Sequence, residues 1–491
     1  AALLLTAFGC DNLTSSGDGT GAGDEGSPAP PDGGSSPPPD EGSPSAPEWS
    51  AAYAFDGISD FTLEDTFATG DGGQVFVGWS FGSSADALLL KVDKDGAPLW
   101  ARRLDAAGDE LATTGVEAPD GDLIVAGVAA EVTNQLGLLM LRLSSDGTLQ
   151  RAYAVDMTDL VDFPEAIFVD DGDLLMVGNL MDSSLTEAQD AFLYRVGAIP
   201  ANIAQASGGV YETFDVDNNS ATQISDAVLY EDELLLAVST DTNDPGSTTD
   251  AALISLRPKL DGSPPRLPAV LGTETSFPRG DDLFTDLRVL SNGYVLAVGT
   301  TDSFTPSVRD TDVWAARLTY DEDDSTTPWD SVWQKLYMGA DDDRARSLVA
   351  TTDGYAIVGA TMSYGAGGSD AWVLEIDPDG SVQDQYALGG SLDEEPVDVV
   401  PARGGGFTLA GATASFSPPS RPAHVWAVRG TPALDVPDSL RSDTNATVSE
   451  TSTAVRTLLP QLGDERQKTT IVEIDLSSLI STPISVAAEE Q

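Results

Sequence analysis

A degenerate repeat constrains this chain more than any other feature of it. An apolar run ending in glycine, as in Val75-Phe76-Val77-Gly78, recurs at Gly78, Gly127, Gly178, Ser239, Gly299, Gly359 and Gly411, with successive spacings of 49, 51, 61, 60, 60 and 52 residues. A second apolar segment follows each run. It is opened by Asp86, Asp190, Asp250, Asp312 or Asp370, with Gly137 and His424 in the two remaining places. Turns such as Asp93-Lys94-Asp95-Gly96, Ser145-Asp146-Gly147 and Asp377-Pro378-Asp379-Gly380 come next, and then a further segment, as in Trp100 to Leu104 and Trp333 to Tyr337. The segments are short, rich in Val, Leu and Ile, and bounded by Gly and Asp, which is the signature of strands rather than buried helices. Glycine supplies the positive φ that tight hairpins require. Three or four strands per unit of about 50 to 60 residues is the pattern of a propeller blade.

Ring closure is legible too. The seventh unit ends at Val428-Arg429-Gly430 without an outer strand, whereas Pro47-Glu48-Trp49-Ser50-Ala51-Ala52-Tyr53 repeats the pattern of Pro98-Leu99-Trp100-Ala101-Arg102-Arg103-Leu104. The first strand of the chain therefore completes the last blade and removes an open sheet edge. The expected architecture is all-β, a seven-bladed β-propeller over 47–430 closed by an N-terminal strand.

The repeat resembles that of bacterial secreted and surface proteins built of β-propeller repeats. The resemblance rests on Asp353-Gly354-Tyr355-Ala356-Ile357-Val358-Gly359, on Asp370-Ala371-Trp372 and on the link Gly389-Gly390-Ser391-Leu392-Asp393. It covers Trp49 to Gly430, most clearly in the first and sixth units. It implies a propeller and carries no catalytic residues, because the matching positions are structural, and a fold does not by itself assign an activity.

The segments outside the repeats indicate location. Ala1 to Cys10 looks like the end of a secretory signal, with Ala7 and Gly9 preceding the only cysteine as in a bacterial lipobox, so lipid attachment is expected at Cys10. Residues 11–46 are almost wholly Gly, Ser, Pro, Asp, Glu, Ala and Thr, a composition that cannot bury a core and reads as a disordered tether. The apolar start is too short to span a bilayer, so the expected membrane attachment is by lipid, and the expected home is the bacterial cell envelope, at the outer surface or in the periplasm, or else outside the cell. The tail 431–491 is expected to be partly ordered at most, with Thr470 to Leu476 alternating like an edge strand.

Composition excludes several functions. With 80 acidic residues against 24 basic ones and a formal net charge of −56, the surface repels phosphate backbones, which argues against nucleic acid as a partner. One histidine and one cysteine leave no ligand set for zinc.

Candidate chemistry is sparse. Gly78-Trp79-Ser80-Phe81-Gly82 matches a nucleophile elbow, but an elbow turns a strand into a helix, whereas these residues end a repeat strand and enter a hairpin. The aspartates that open the second segment suit short acceptors fixing turns on nearby N–H groups. Asp215, Asp217, Asn219 and Asp226 have the spacing of an EF-hand-like calcium loop, although Ser220 stands where such a loop needs glycine. No other cofactor is expected. Two functions fit: a monomeric, non-catalytic binding or scaffold module taking a protein or glycan ligand at a propeller face, or an extracellular enzyme using carboxylates on a polysaccharide. Perturbed carboxylates in a deep axial pocket would favour the enzyme, and an apolar patch on a loop face would favour binding.

Overall fold

The computed structural model describes residues 48–490 apart from some links, hairpin loops and segments between the tail's strands, the longest being 198–208, 257–268, 272–279 and 417–424. Seven antiparallel sheets follow one another along the chain as the blades of a propeller. Blade 7 is completed by the chain's first strand, β1 (Trp49–Phe55), paired in register with the blade's third strand, Trp49 opposite Arg429 and Tyr53 opposite Val425. Blade 1 contains β2 (Thr62–Ala68), β3 (Gln74–Phe81), β4 (Ala85–Val92) and β5 (Pro98–Asp105). Blades 2 to 6 repeat this with β6–β9 within 110–155, β10–β13 within 161–215, β14–β17 within 222–271, β18–β21 within 282–338 and β22–β25 within 343–388. Blade 7 is β26 (Glu394–Pro401), β27 (Phe407–Thr413), β28 (Val425–Gly430) and β1. The core lies between blades. Val75, Val77 and Leu89 of blade 1 pack on Leu123, Val125 and Leu141 of blade 2, and Leu175, Val177 and Leu193 of blade 3 on Leu234, Leu236 and Ile254 of blade 4. A middle strand covered on both faces cannot alternate with polar residues, and this is why the apolar runs are continuous.

A bulge explains the marker glycine. Every innermost strand is interrupted at the same place, from Leu63/Asp65 in blade 1 to Pro396/Asp398 in blade 7. The bulge pushes a carbonyl over the facing residue: a Cβ at Gly78 would stand 2.0 Å from Thr62 O, and one at Gly299 1.8 Å from Leu283 O. Blade 4 corrects the sequence alignment, because Val238, not Ser239, faces Ile224 at the bulge, while Ser239 pairs with Gln223. Nothing in the structure explains why a valine is accepted there.

The Asp-Gly turns join blade to blade. In Asp377-Pro378-Asp379-Gly380 the Asp377 carboxylate accepts the N–H groups of Asp379 and Ser381, each at 2.9 Å, and Gly380 sits at φ 73°. Trp333 of blade 5 donates Nε1–H to Pro378 O at 3.2 Å, and Tyr337 donates its hydroxyl to Gly380 O at 2.8 Å. The same clamp closes the ring: Trp49 donates to Lys94 O at 3.0 Å and Tyr53 to Gly96 O at 2.8 Å, across from blade 7 to blade 1. A Cβ at residue 380 would meet the Trp333 ring at 2.9 Å, besides forcing an L side chain into positive φ. Gly380→Ala is therefore expected to destabilise the protein by about 1–3 kcal/mol. Equilibrium denaturation of the variant, with unchanged far-UV circular dichroism, measures this.

The tail, expected to be partly ordered at most, adds a strand to every sheet. It runs round the ring against the order of the chain: β29 (Arg441–Asp443) on blade 6, β30 (Thr447–Thr451) on blade 5, β31 (Arg456–Thr457) on blade 4, and β32 (Gln461–Leu462) with β33 (Gln467–Lys468) on blade 3. β34 (Ile471–Glu473), β35 (Ile480–Pro483) and β36 (Val486–Glu490) then cover blades 2, 1 and 7. Each pairs antiparallel with the blade's outer strand. All the outer strands run the same way round the disc, so one continuous segment travelling in the opposite sense meets each of them antiparallel. The belt covers edges that would otherwise be templates for association.

Candidate functional site

The residue just after each bulge of the innermost strand is polar in six of the seven blades, Asp65, Thr114, Asp226, Asp286, Ser347 and Asp398, with Ala166 in blade 3, and Asp398 of blade 7 feels the charges of Asp65 in blade 1 and Asp286 in blade 5. All four aspartates are fully buried. Three of them, Asp65, Asp226 and Asp286, follow one bonding rule together with Ser347. Gly115 N–H donates to Asp65 Oδ2 at 2.8 Å, Leu287 N–H to Asp226 Oδ2 at 3.0 Å, and Leu348 N–H to Asp286 Oδ2 at 2.6 Å. Val399 N–H donates to Ser347 Oγ at 3.3 Å. In each case the side chain of one blade takes the N–H that follows the matching residue of the next blade. The bulge frees that N–H from its own ladder, and the neighbouring carboxylate satisfies it.

Arg288 brings a positive charge to the group. Arg288, two residues after Asp286 on the same strand, holds Asp286 Oδ1 through Nη1 and lies 3.4 Å from Asp226 Oδ2. Burial is the largest influence on every one of the four acids and raises each above the ordinary carboxylate range. Asp65 is pushed up to about 7, only partly offset by the Gly115 N–H. Asp398 is raised further by the charges of Asp65 and Asp286, against the pull of Arg288. Within the Asp226–Asp286 pair, Asp226 carries the stronger upward push, from burial and from the Asp286 charge, while the Arg288 charge pulls Asp286 back down. Among the described residues Asp65 Oδ1, Asp226 Oδ1 and Asp398 Oδ2 accept no hydrogen bond, and Thr114 lies beside Asp65 without reaching hydrogen-bond geometry.

Two further sets of acids repeat round the disc. Aspartates in the links cap the strand openings of the preceding blade: Ala85 N–H donates to Asp109 at 2.8 Å, Thr249 N–H to Asp281 at 3.0 Å, Thr311 N–H to Asp342 at 3.0 Å and Ser369 N–H to Asp393 at 3.2 Å. The acids that open the inner strands are held by a Thr-x-Ser pair, as where Ser363 Oγ donates to Asp343 Oδ2 at 3.0 Å and Thr413 Oγ1 to Glu394 at 2.7 Å. Crowding among these sets adds to burial in pushing Asp312 up to about 7, beside Asp310, Asp343 and Asp342.

The residues singled out in the sequence fall as follows. Asp370 fixes its turn as expected, accepting Ala366 and Gly367 N–H at 3.0 and 2.9 Å, whereas Asp86 pairs with Arg103 of the outer strand at 2.6 Å. Ser80 lies in β3 opposite Asp86 on the way into a hairpin, so the elbow motif has no helix after it. Of the calcium set, Asp215 ends the outer strand of blade 3 opposite Gln461, and Asp226 is at the axis of the ring, engaged with Leu287 N–H. Asp217, Asn219, His424 and Cys10 lie outside the described residues. Among the described residues no group of three or more His, Cys, Asp or Glu side chains is arranged to hold a metal ion. Asp65, Asp286 and Asp398 escaped the sequence reading and Asp226 entered it only as a calcium candidate, although each lies 12 or 13 residues before the residue facing its bulge, a spacing that an alignment of the inner strands would have exposed.

At the sequence level no family model and no curated protein matches this chain. Among solved structures it is similar to the GH93 α-L-arabinofuranosidase of Fusarium graminearum in complex with arabinobiose, at 12% identity and a TM-score of 0.42 over 64% of this chain and 91% of that one. It is similar also to the α-L-arabinanase of Penicillium chrysogenum complexed with arabinobiose, at 11% identity and a TM-score of 0.42 over 65% of this chain and 92% of that one. The full extracellular region of plexin A4 is matched at 9% identity and a TM-score of 0.46, over 78% of this chain and 40% of that one. The chain is thus a seven-bladed β-propeller, a conclusion carried by its own blade topology.

Proposed function

We propose that this chain is a lipid-tethered, surface-displayed propeller of the bacterial cell envelope that binds a ligand without turning it over. One observation carries the non-catalytic reading: the acids with raised proton affinity at the axis are fully buried, and three of the four hold an N–H of the next blade. A general acid must reach the bond it protonates, and a carboxyl enclosed on all sides and committed to the backbone does not. The expected ligand is a protein or a glycan at one face of the disc, where loops ride on a rigid scaffold. The net charge of −56 favours a ligand that is neutral or basic. The lipid would be carried on Cys10 and the disc held clear of the membrane by 11–46; no helix among the described residues is long and apolar enough to cross a membrane.

The test is a pull-down from envelope extracts with the full chain made soluble by Cys10→Ser, with and without calcium, alongside a panel of polysaccharides assayed for cleavage. Recovery of one stoichiometric partner, or retention of a glycan without cleavage, supports the reading. Turnover of a glycan with no retained partner overturns it. Palmitate incorporation into the parent chain, lost in Cys10→Ser, tests the anchor separately.

A further inference from the structure

β1 is the strand that closes the ring, and it is tightly enclosed. Its seven residues are all buried, whereas β9 (Leu149–Val155), β21 (Trp329–Met338) and β25 (Val382–Leu388) each leave part of their length towards solvent. On one edge it pairs with β28 over five residue pairs, and on the other with β36 over five more, Ala51 opposite Glu490 and Phe55 opposite Val486. The belt makes five such pairs on blade 5 as well, four on blade 1, three on blades 2 and 6 and two on blade 4, but none of those outer strands closes the ring. Side chains add three further ties: Trp49 to Lys94 O, Tyr53 to Gly96 O, and Trp426 Nε1–H to Ser50 Oγ at 3.1 Å. β1 is also where the N-terminal segment enters the disc.

We propose that Val486–Glu490 is a clasp that sets the order in which the ring opens: β1 leaves blade 7 only after the last belt strand has come off. A strand with one free edge peels away one ladder bond at a time, whereas a strand paired on both edges must lose a whole ladder first. A pull on residue 48 along β1 meets both ladders together. Without the clasp, the ring's only non-covalent seam would be a strand open along one side. The use of the clasp in holding a tethered disc rests on the tether proposed above; the clasp itself does not.

Hydrogen exchange of the full chain carrying Cys10→Ser tests this, in a variant lacking 486–491 and in the double variant Ala487→Pro with Ala488→Pro. The paired prolines remove an N–H directed at β1 whichever of the two faces it. The expected result is exchange in 50–55 faster by about tenfold or more, with β11 (Asp173–Met181), in blade 3, unchanged. Equal protection of β1 in parent and variants would overturn the clasp, and so would uniform acceleration across β1 and β11. If the truncated chain does not fold, the proline pair decides. Because the readout is made on unlipidated chain, failure of the anchor reading leaves the result standing.

Discussion

Raising the pH from 5 to 9 is expected to lower the thermal midpoint of this protein steadily, the reverse of what salt-bridged carboxylates produce. Burial raises Asp65, Asp282 and Asp312 to about 7, and it raises Asp226, Asp286 and Asp398 as well. In the unfolded chain these groups titrate near 4. Between those values the folded state binds more protons than the unfolded one, so stability falls as pH rises. The contribution is complete below about pH 4 and lost as the pH passes through the folded values near 7 and above. For Asp65 alone, a shift of about three units amounts to on the order of 4 kcal/mol. Asp71 runs the other way: burial would raise it, but Lys91, Thr69 and Gly73 N–H together hold it at about 2, so its contribution is lost only as the pH falls through that value. It leaves the window from 5 to 9 untouched. Self-repulsion among 80 acidic residues acts in the same direction as the buried acids. Scanning calorimetry at pH 5, 7 and 9 checks the trend, and a midpoint that rises with pH would contradict it.

The second large effect concerns the pair at the centre. Asp286→Ala removes the acceptor of Leu348 N–H and the closest partner of Arg288, leaving the guanidinium in a largely enclosed site with Asp226 3.4 Å away and the Asp398 charge nearby. Stranding a buried charge costs about 3–5 kcal/mol. The companion variant Asp286→Ala with Arg288→Met removes the charge along with its partner, so it is expected to lose less than the single substitution. Chemical denaturation at pH 7 of parent, single and double variants measures both. A single variant within about 1 kcal/mol of the parent would show that the ring does not depend on this latch.

Much of this molecule can be read from its residues, and the boundary has a physical cause. Blade count and ring closure are legible because a covered middle strand writes a continuous apolar run, and because the clamp of Trp49 and Tyr53 on Gly96 repeats that of Trp333 and Tyr337 on Gly380. The marker glycine is legible as a position but not as a cause, since the crowding at Gly78 and Gly299 comes from a bulge on another strand. Asp226 shows what local spacing leaves out. Next to Asp215 and Asp217 it has the look of a calcium loop, yet its inner strand spends it on Leu287 of the following blade. The belt was hidden for a different reason. Only β34, within the alternating segment Thr470 to Leu476, shows a strand's period; the other contacts are backbone ladders of two to five residue pairs on edges supplied by other blades, too short to impose one.

The central claim is that the axial carboxylates exist to join blades rather than to do chemistry, and Asp65→Asn tests it most directly. An asparagine keeps an acceptor for Gly115 N–H and gives up the charge whose burial raises the acid to about 7. Thermal midpoints of parent and variant, measured at pH 5 and pH 8, are expected to show the variant more stable at pH 8 by a margin that shrinks towards pH 5, with ligand retention unchanged. A variant that is less stable than the parent at both pH values, or one that keeps its fold while losing a glycan-cleaving activity present in the parent, would contradict the account.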